Sequence, residues 1–465
     1  MRFVNRVPAV TVLLLVQHAL MAFADPLPPS VDPFYTPKNN DWKDKEPGYI
    51  IDHRPIELPS LVSDNNTENP LTAHQLLFVT RNASNLPATS LTTVIRPQYA
   101  DPDRLVSYQV AYDAPDVNCS PSLGVQRGSQ GNARLWNQIQ MAFILPYLLS
   151  NEQPVGKRPF LNIPDYEGNN AAFTVGPQSG YHTLDSIRAA LNSHNYTSIN
   201  PGARTVLFGY SGGRIASEWA SELHASHAPD LNIAGAAIGG PPPNITKTFI
   251  QVNGAGSQLG IWVILGMMNA FHELDSFIRN DIQTQYSSSF LGPLTVCSNP
   301  KPKPPSIPPK ANVTTWFKSG DEFLFRFKHI LDENGVMGRL INQTHKPNFP
   351  LYIYQGTSDN LTAPIGDTDR PVGDYCRAGA DVTYLRYIGR NHGQTIIAGM
   401  YPAWKWITAR LNGVSDPAPR CSVEDVTKDD AEDDNEIKQD DSDVAGQEFG
   451  DDLANEALFG ENGSL

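Results

Sequence analysis

Gly209-Tyr210-Ser211-Gly212-Gly213 follows directly on the apolar run Val206, Leu207, Phe208. Gly-x-Ser-x-Gly in that setting is the pattern of a serine nucleophile carried on a sharp turn from strand to helix. Such a turn holds the serine backbone under strain, and side chains at the flanking positions would collide with it, so small residues are needed there. Ile215, Ala216, Trp219, Ala220 and Leu223 recur at helical spacing behind the serine. This predicts an amphipathic helix whose first amides and positive dipole end face the hydroxyl. A plain glycine turn is the competing reading of the five residues alone.

A serine hydroxyl is a weak nucleophile unless a base takes its proton, and the base needs an acid to fix its tautomer. In a hydrolase built on a mostly parallel sheet the three follow one another as Ser, Asp or Glu, then His. Of the histidines after Ser211 (His224, His227, His272, His329, His345 and His392), His392 alone lies beyond the last strand-like segment, in the loop Gly389-Arg390-Asn391-His392-Gly393. Asp359 follows the strand-like Leu351 to Tyr354 and the turn Gly356-Thr357-Ser358, and is the candidate acid. Asp367, Asp369 and Asp374 lie farther from the strand end, and Asp381 precedes a strand. The negative oxygen of an acyl-transfer intermediate needs two donors, one expected from the backbone N–H of Gly212 and one from a loop after an early strand. Asp113 heads such a loop, although its position alone also fits a turn-forming aspartate.

These residues must be held by strands that alternate with helices. Strand-like runs are expected at Leu76 to Thr80, Leu91 to Ile95, Val106 to Tyr112, Thr205 to Phe208, Ile233 to Ile238, Leu351 to Tyr354 and Thr383 to Ile388, with helices near Gln178 to Leu191 and Ile215 to Leu223. The alternation predicts an α/β fold with a mostly parallel central sheet. From Pro241 to about Phe349 the pattern turns helical and loop-like, which reads as an inserted helical cap. Within it, Leu259 to Phe271 is apolar enough for either a buried helix or a lid that meets lipid. The expected organisation is a signal peptide at 1–24, core at 25–240 and 350–421, cap at 241–349 and an acidic disordered tail at 422–465. The proline-rich start, 25–59, is expected to wrap the surface.

Composition adds the compartment. Arg2 and Arg6 ahead of the apolar Ala9 to Val16 and then Ala22-Phe23-Ala24 read as a secretory signal peptide, too short to span a bilayer. The protein is therefore expected outside the cell, with no integral membrane segment in the mature chain. Cys119, Cys297, Cys376 and Cys421 suit two disulfides in any of three pairings, and the absence of a Cys-x-x-Cys pair speaks against zinc. Sequons at Asn65, Asn82, Asn195, Asn244, Asn312 and Asn342 agree with a glycosylated protein. The formal charge is −14, with 49 acids and 35 bases. Beyond Cys421 lie 16 Asp and Glu against Lys428 and Lys438, so the rest holds 33 acids and 33 bases. The acidity belongs to the tail, which has too few apolar residues to repay the entropy of ordering. No basic patch points to nucleic acid.

Taken together the residues resemble the fungal secretory lipase family, of the Candida antarctica lipase A type. The resemblance runs from Pro33-Phe34-Tyr35-Thr36-Pro37 to Cys421. It is carried by Tyr112-Asp113, Asn118-Cys119-Ser120-Pro121-Ser122, Asp165-Tyr166-Glu167-Gly168, the Gly-Tyr-Ser-Gly-Gly elbow, Asp359 to Pro364, and the segment ending in His392. It implies an α/β-hydrolase fold, Ser211, Asp359 and His392 as triad, and Asp113 with Gly212 as oxyanion hole. It also implies the disulfides Cys119 to Cys297 and Cys376 to Cys421, a cap that shapes an acyl tunnel, and no metal or organic cofactor. The acidic tail and the proline-rich stretch before Ala311 depart from the family pattern. The expected activity is ester hydrolysis by a monomer on lipid or small ester substrates, with an oil–water interface among the expected partners. The alternative is deacetylation of a small fungal metabolite such as a trichothecene, and a catalytically inactive binding protein is a third reading.

Overall fold

The structure, a computed structural model, describes residues 25–59, 71–130, 156–240, 242–253, 259–297, 311–342, 346–359, 364–414 and 421–427, with Met141, Ile144, Tyr147 and Leu148. The signal peptide, the sequon at Asn65, the proline-rich stretch at 299–309 and the tail from 428 onward lie outside these residues.

Among the described residues ten strands form one sheet: β1 Ile50–Ile56, β2 Leu71–Arg81, β3 Pro87–Pro97, β4 Ala100–Gln109, β5 Arg158–Pro164, β6 Arg204–Tyr210, β7 Ile233–Gly239, β8 Leu351–Gly356, β9 Val382–Tyr387 and β10 Cys421–Val426. Their order is β1-β2-β3-β5-β4-β6-β7-β8-β9-β10. The β1–β2, β2–β3 and β3–β5 pairs are antiparallel, and every pair from β5–β4 onward is parallel. The longer helices are α1 Gly176–Asn192, α2 Gly212–His227, α3 Ile245–Val252, α4 Leu259–Ala270, α5 His272–Asp281, α6 Thr284–Leu291, α7 Glu322–Arg326, α8 Lys328–Gly335, α9 Ile365–Arg377 and α10 His392–Leu411.

The central strands are apolar on both faces because helices cover both faces. The two-residue period divides them cleanly. Val106, Tyr108, Val206, Phe208, Tyr352 and Tyr354 face α10, packing with Ala403, Trp404 and Ile407. Leu105, Leu207, Ile238, Leu351, Ile353 and Tyr384 face the opposite layer, with Leu184 and Ile187 of α1, Ala220 of α2 and Tyr375 of α9. α3 to α8 all fall between β7 and β8 and build a third core from Ile245, Phe249, Leu274, Ile278, Phe317 and Phe323, into which Ile215 and Trp219 of α2 reach. α4 is the centre of this block: Gly260 to Met268 are all buried, so its apolar run is core. Among the described residues no helix is long and apolar enough to cross a membrane.

Three strands depart from the sequence reading. β1 lies inside the segment expected to wrap the surface. β5 carries Pro159 and Pro164, which mask a strand in a sequence window. β10 occupies 422–426, expected to be tail. It is an edge strand, largely exposed, and needs no apolar face. Backbone pairing to β9, the Arg386–Asp425 ion pair at 2.7 Å and the Cys376–Cys421 disulfide hold it. β4 ends at Gln109, three residues short of the expected Tyr112. Cys119 is joined to Cys297, which ties the loop after β4 to the segment that follows α6 inside the helical block.

Candidate active site

The chain leaves β4 toward β5 on one side and leaves β6 toward β7 on the other, so β4 and β6 flank a switch point of the sheet. Crevices beyond the carboxyl ends of such strands are where open α/β sheets bind ligands. Four candidate side chains stand beyond strand ends: Asp113 beyond β4, Ser211 immediately after β6, Asp359 after β8, and His392 after β9 at the first position of α10.

Ser211 has φ 55° and ψ −125°, a conformation that side-chain-bearing residues rarely adopt. The neighbouring glycines make the turn possible. A Cβ on Gly213 would lie 1.9 Å from the Gln109 carbonyl oxygen, and one on Gly212 would lie 1.7 Å from Asp113 Oδ1. α2 therefore starts directly at Ser211, with the helix N-terminus at the hydroxyl.

His392 Nε2 lies 2.9 Å from Ser211 Oγ, and Nδ1 lies 2.7 Å from Asp359 Oδ2. His392 and Asp359 are each 2% exposed. The imidazole is fixed from several directions. Asn391 caps α10 by accepting from the Gln394 N–H, while the Gln394 side chain accepts from the Asn391 N–H. The Tyr210 hydroxyl donates to the His392 carbonyl at 2.6 Å, and the two rings stand 5.0 Å apart. Gln355 Nε2 donates to Asp359 Oδ2 at 3.0 Å. In the sequence Tyr210 stands only as the variable residue of the elbow, and no spacing rule marks Gln355. Its one signal was a polar residue within the otherwise buried apolar β8.

Asp113 has φ 42° and stands against Gly212. The residue keeps some exposure, but its Oδ1 is shut off from solvent. Burial pushes its carboxyl up to about 7, against the pull of His392 and a backbone N–H. Beside it, burial and then the Asp113 charge hold Glu167 well above the usual carboxylate range. Tyr112 Oη accepts from the Glu167 N–H at 2.8 Å. Asp165 accepts from the Ser122 N–H at 2.9 Å and from the Ser122 hydroxyl, which also meets Tyr35 Oη at 2.7 Å. Residues 112–113, 122 and 165–167, far apart in sequence, are thus brought into one cluster of polar side chains. A cavity of about 600 Å³ lined by Glu46, Arg81, Arg188, His227 and Asp230 contains none of these residues. Its Arg188 is already paired with Asp185 and Asp230.

The chain is similar to known proteins over most of its length. The profile of a family described as secretory lipase matches residues 126–417. The chain is 31% identical over 396 residues to Lipase A of Arthroderma benhamiae, covering 84% of this chain and 81% of that one. It is 32% identical over 430 residues to trichothecene C-3 esterase of Fusarium sporotrichioides, covering 88% and 90%. The crystal structure of Candida antarctica lipase A in its closed state superposes with a TM-score of 0.75 at 25% identity, covering 93% of this chain and 96% of that one.

Proposed function

The chain belongs to the secretory lipase family, and from that premise we propose that it is a secreted serine ester hydrolase cleaving triacylglycerol or related lipid esters through an acyl-enzyme. The observation that carries the reading is the unbroken hydrogen-bond chain from Ser211 through His392 to Asp359. Ser211 Oγ attacks the ester carbonyl while His392 Nε2 takes its proton. Asp359 Oδ2 holds the Nδ1–H, fixes the tautomer and balances the imidazolium charge. In this reading the developing oxyanion is received by the backbone N–H of Gly212 and by the Asp113 loop, as such donors stabilise the charge that forms. His392 then protonates the leaving alkoxide, and water, activated by the same imidazole, releases the acid.

In this reading the helices between β7 and β8 roof the acyl site. Their shared core with Trp219 and Ile215 of the nucleophile helix couples roof to elbow. The roof is apolar inside, which suits an acyl chain. A second reading, deacetylation of a small metabolite ester, is favoured by the 32% identity to the trichothecene C-3 esterase, as high as that to Lipase A. Kinetics on a series of esters from acetate to long-chain acyl groups, each with and without an oil interface, separates them. The lipase reading expects kcat/KM to rise with chain length and with added interface. Turnover confined to short soluble acetates selects the second reading.

A further inference from the structure

Gln355 is wholly buried at the end of β8, four residues before Asp359. Its Nε2 meets Asp359 Oδ2, the same carboxylate oxygen that accepts from His392 Nδ1. The amide has one orientation compatible with that contact, because turning it would set two acceptor oxygens face to face at 3.0 Å. Its own Oε1 is buried and has no hydrogen-bond partner among the described residues. A buried amide with an orphaned carbonyl is worse than a packed apolar residue unless its donor is needed. The strand supports this: Leu351, Tyr352, Ile353 and Tyr354 ahead of it are apolar or aromatic and all buried.

We propose that Gln355 is a positioning residue for the hydrolysis described above, acting through Asp359. Its N–H fixes the rotation of the carboxylate, so that Oδ2 points at Nδ1, and it favours the ionised carboxylate over the acid. An N–H donor also draws charge from Oδ2, which keeps the proton on His392 Nδ1 and leaves the acid as a stabiliser of the imidazolium. Gln355 touches no reacting atom. Its loss lowers turnover without altering substrate binding.

The inference rests on the triad reading, so Ser211→Ala is assayed beside Gln355→Met, which keeps the shape and removes the donor, and Gln355→Glu, which donates only while protonated. Gln355→Met is expected to lower kcat about ten- to hundredfold, the worth of a hydrogen bond to a charged group, with KM within about twofold. The downfield proton resonance of His392 Nδ1 should move. Gln355→Glu is expected to recover activity at acid pH and to lose it as the introduced carboxyl ionises beside Asp359, adding an alkaline limb that the parent lacks. A Gln355→Met enzyme with unchanged kcat and an unmoved resonance overturns the proposal. So does a Gln355→Glu profile identical to the parent's, which decides the matter alone if Gln355→Met fails to fold. An inactive Ser211→Ala beside a fully active Gln355→Met removes only the role of Gln355, whereas an active Ser211→Ala removes the triad itself.

Discussion

Asp113, Asp165 and Glu222 are carboxyls shut inside the protein, and burial pushes them up to about 7, about 7 and about 8. Glu222 is held by two donors. It accepts from the Gly338 N–H at 2.7 Å and from Tyr375 Oη at 2.6 Å, next to the fully buried Arg214–Glu218 pair. An acid that ionises less readily when folded binds its proton more tightly in the native state. Its contribution to stability is complete below its unfolded value near 4 and is lost as pH rises through the folded value. His182, lowered to about 4 by burial, works in the opposite sense, but only below 6.5. Between pH 6.5 and 8 the carboxyls act without that opposition, so the thermal midpoint should fall across this window. Melting curves at half-unit steps test it, and Glu222→Gln should flatten the upper end. A midpoint constant from pH 6.5 to 8 would contradict the assignment of these groups as buried acids.

At the scale of elements, every candidate group stands where a parallel strand gives way to a loop or helix, and the precision of the site is that of its caps. α10 starts with Asn391 as cap and His392 as its first residue. Asn391→Ala should cost about 1 kcal/mol of stability and lower kcat, because the freed first turn carries the imidazole. Urea unfolding and initial rates on the same sample check both, and an unchanged kcat would mean that Tyr210 and Asp359 suffice to hold the ring. Elements of this kind are unevenly legible in a sequence. β6 and α2 could be read because an apolar run, three glycines and a helical period adjoin one another, and the order Ser211, Asp359, His392 then selected its own partners. β10 could not, because an acidic edge strand is held by backbone pairing and a disulfide, which leave no periodic trace. Asp113 was ambiguous for a related reason: a loop aspartate looks the same whether it forms a turn or stands 1.7 Å from where a Gly212 Cβ would be. Gln355 was hidden because its role depends on a contact with Asp359 that no spacing rule encodes.

At the scale of the molecule, three of the apolar clusters among the described residues are large. Two lie on the faces of the sheet, and the third is the helical block between β7 and β8, anchored through Trp219 and Ile215 to α2. Cys119–Cys297 closes a span of 178 residues between the loop after β4 and that block, and Cys376–Cys421 holds the last strand. Cross-links over such spans restrict the unfolded chain and suit an oxidising compartment. The architecture brings residues 211, 359 and 392 into hydrogen-bond contact, and the account stands on Ser211 being the nucleophile. The direct measurement is reaction of the intact protein with an active-serine alkylphosphonate, read by peptide mass spectrometry alongside ester turnover in the native chain and in Ser211→Ala. The expected result is a single phosphonylated residue, Ser211, stoichiometric loss of activity with labelling, and an alanine variant that keeps its fold, takes no label and turns over several powers of ten more slowly. Labelling at another serine, or an alanine variant with near-native turnover, would contradict it.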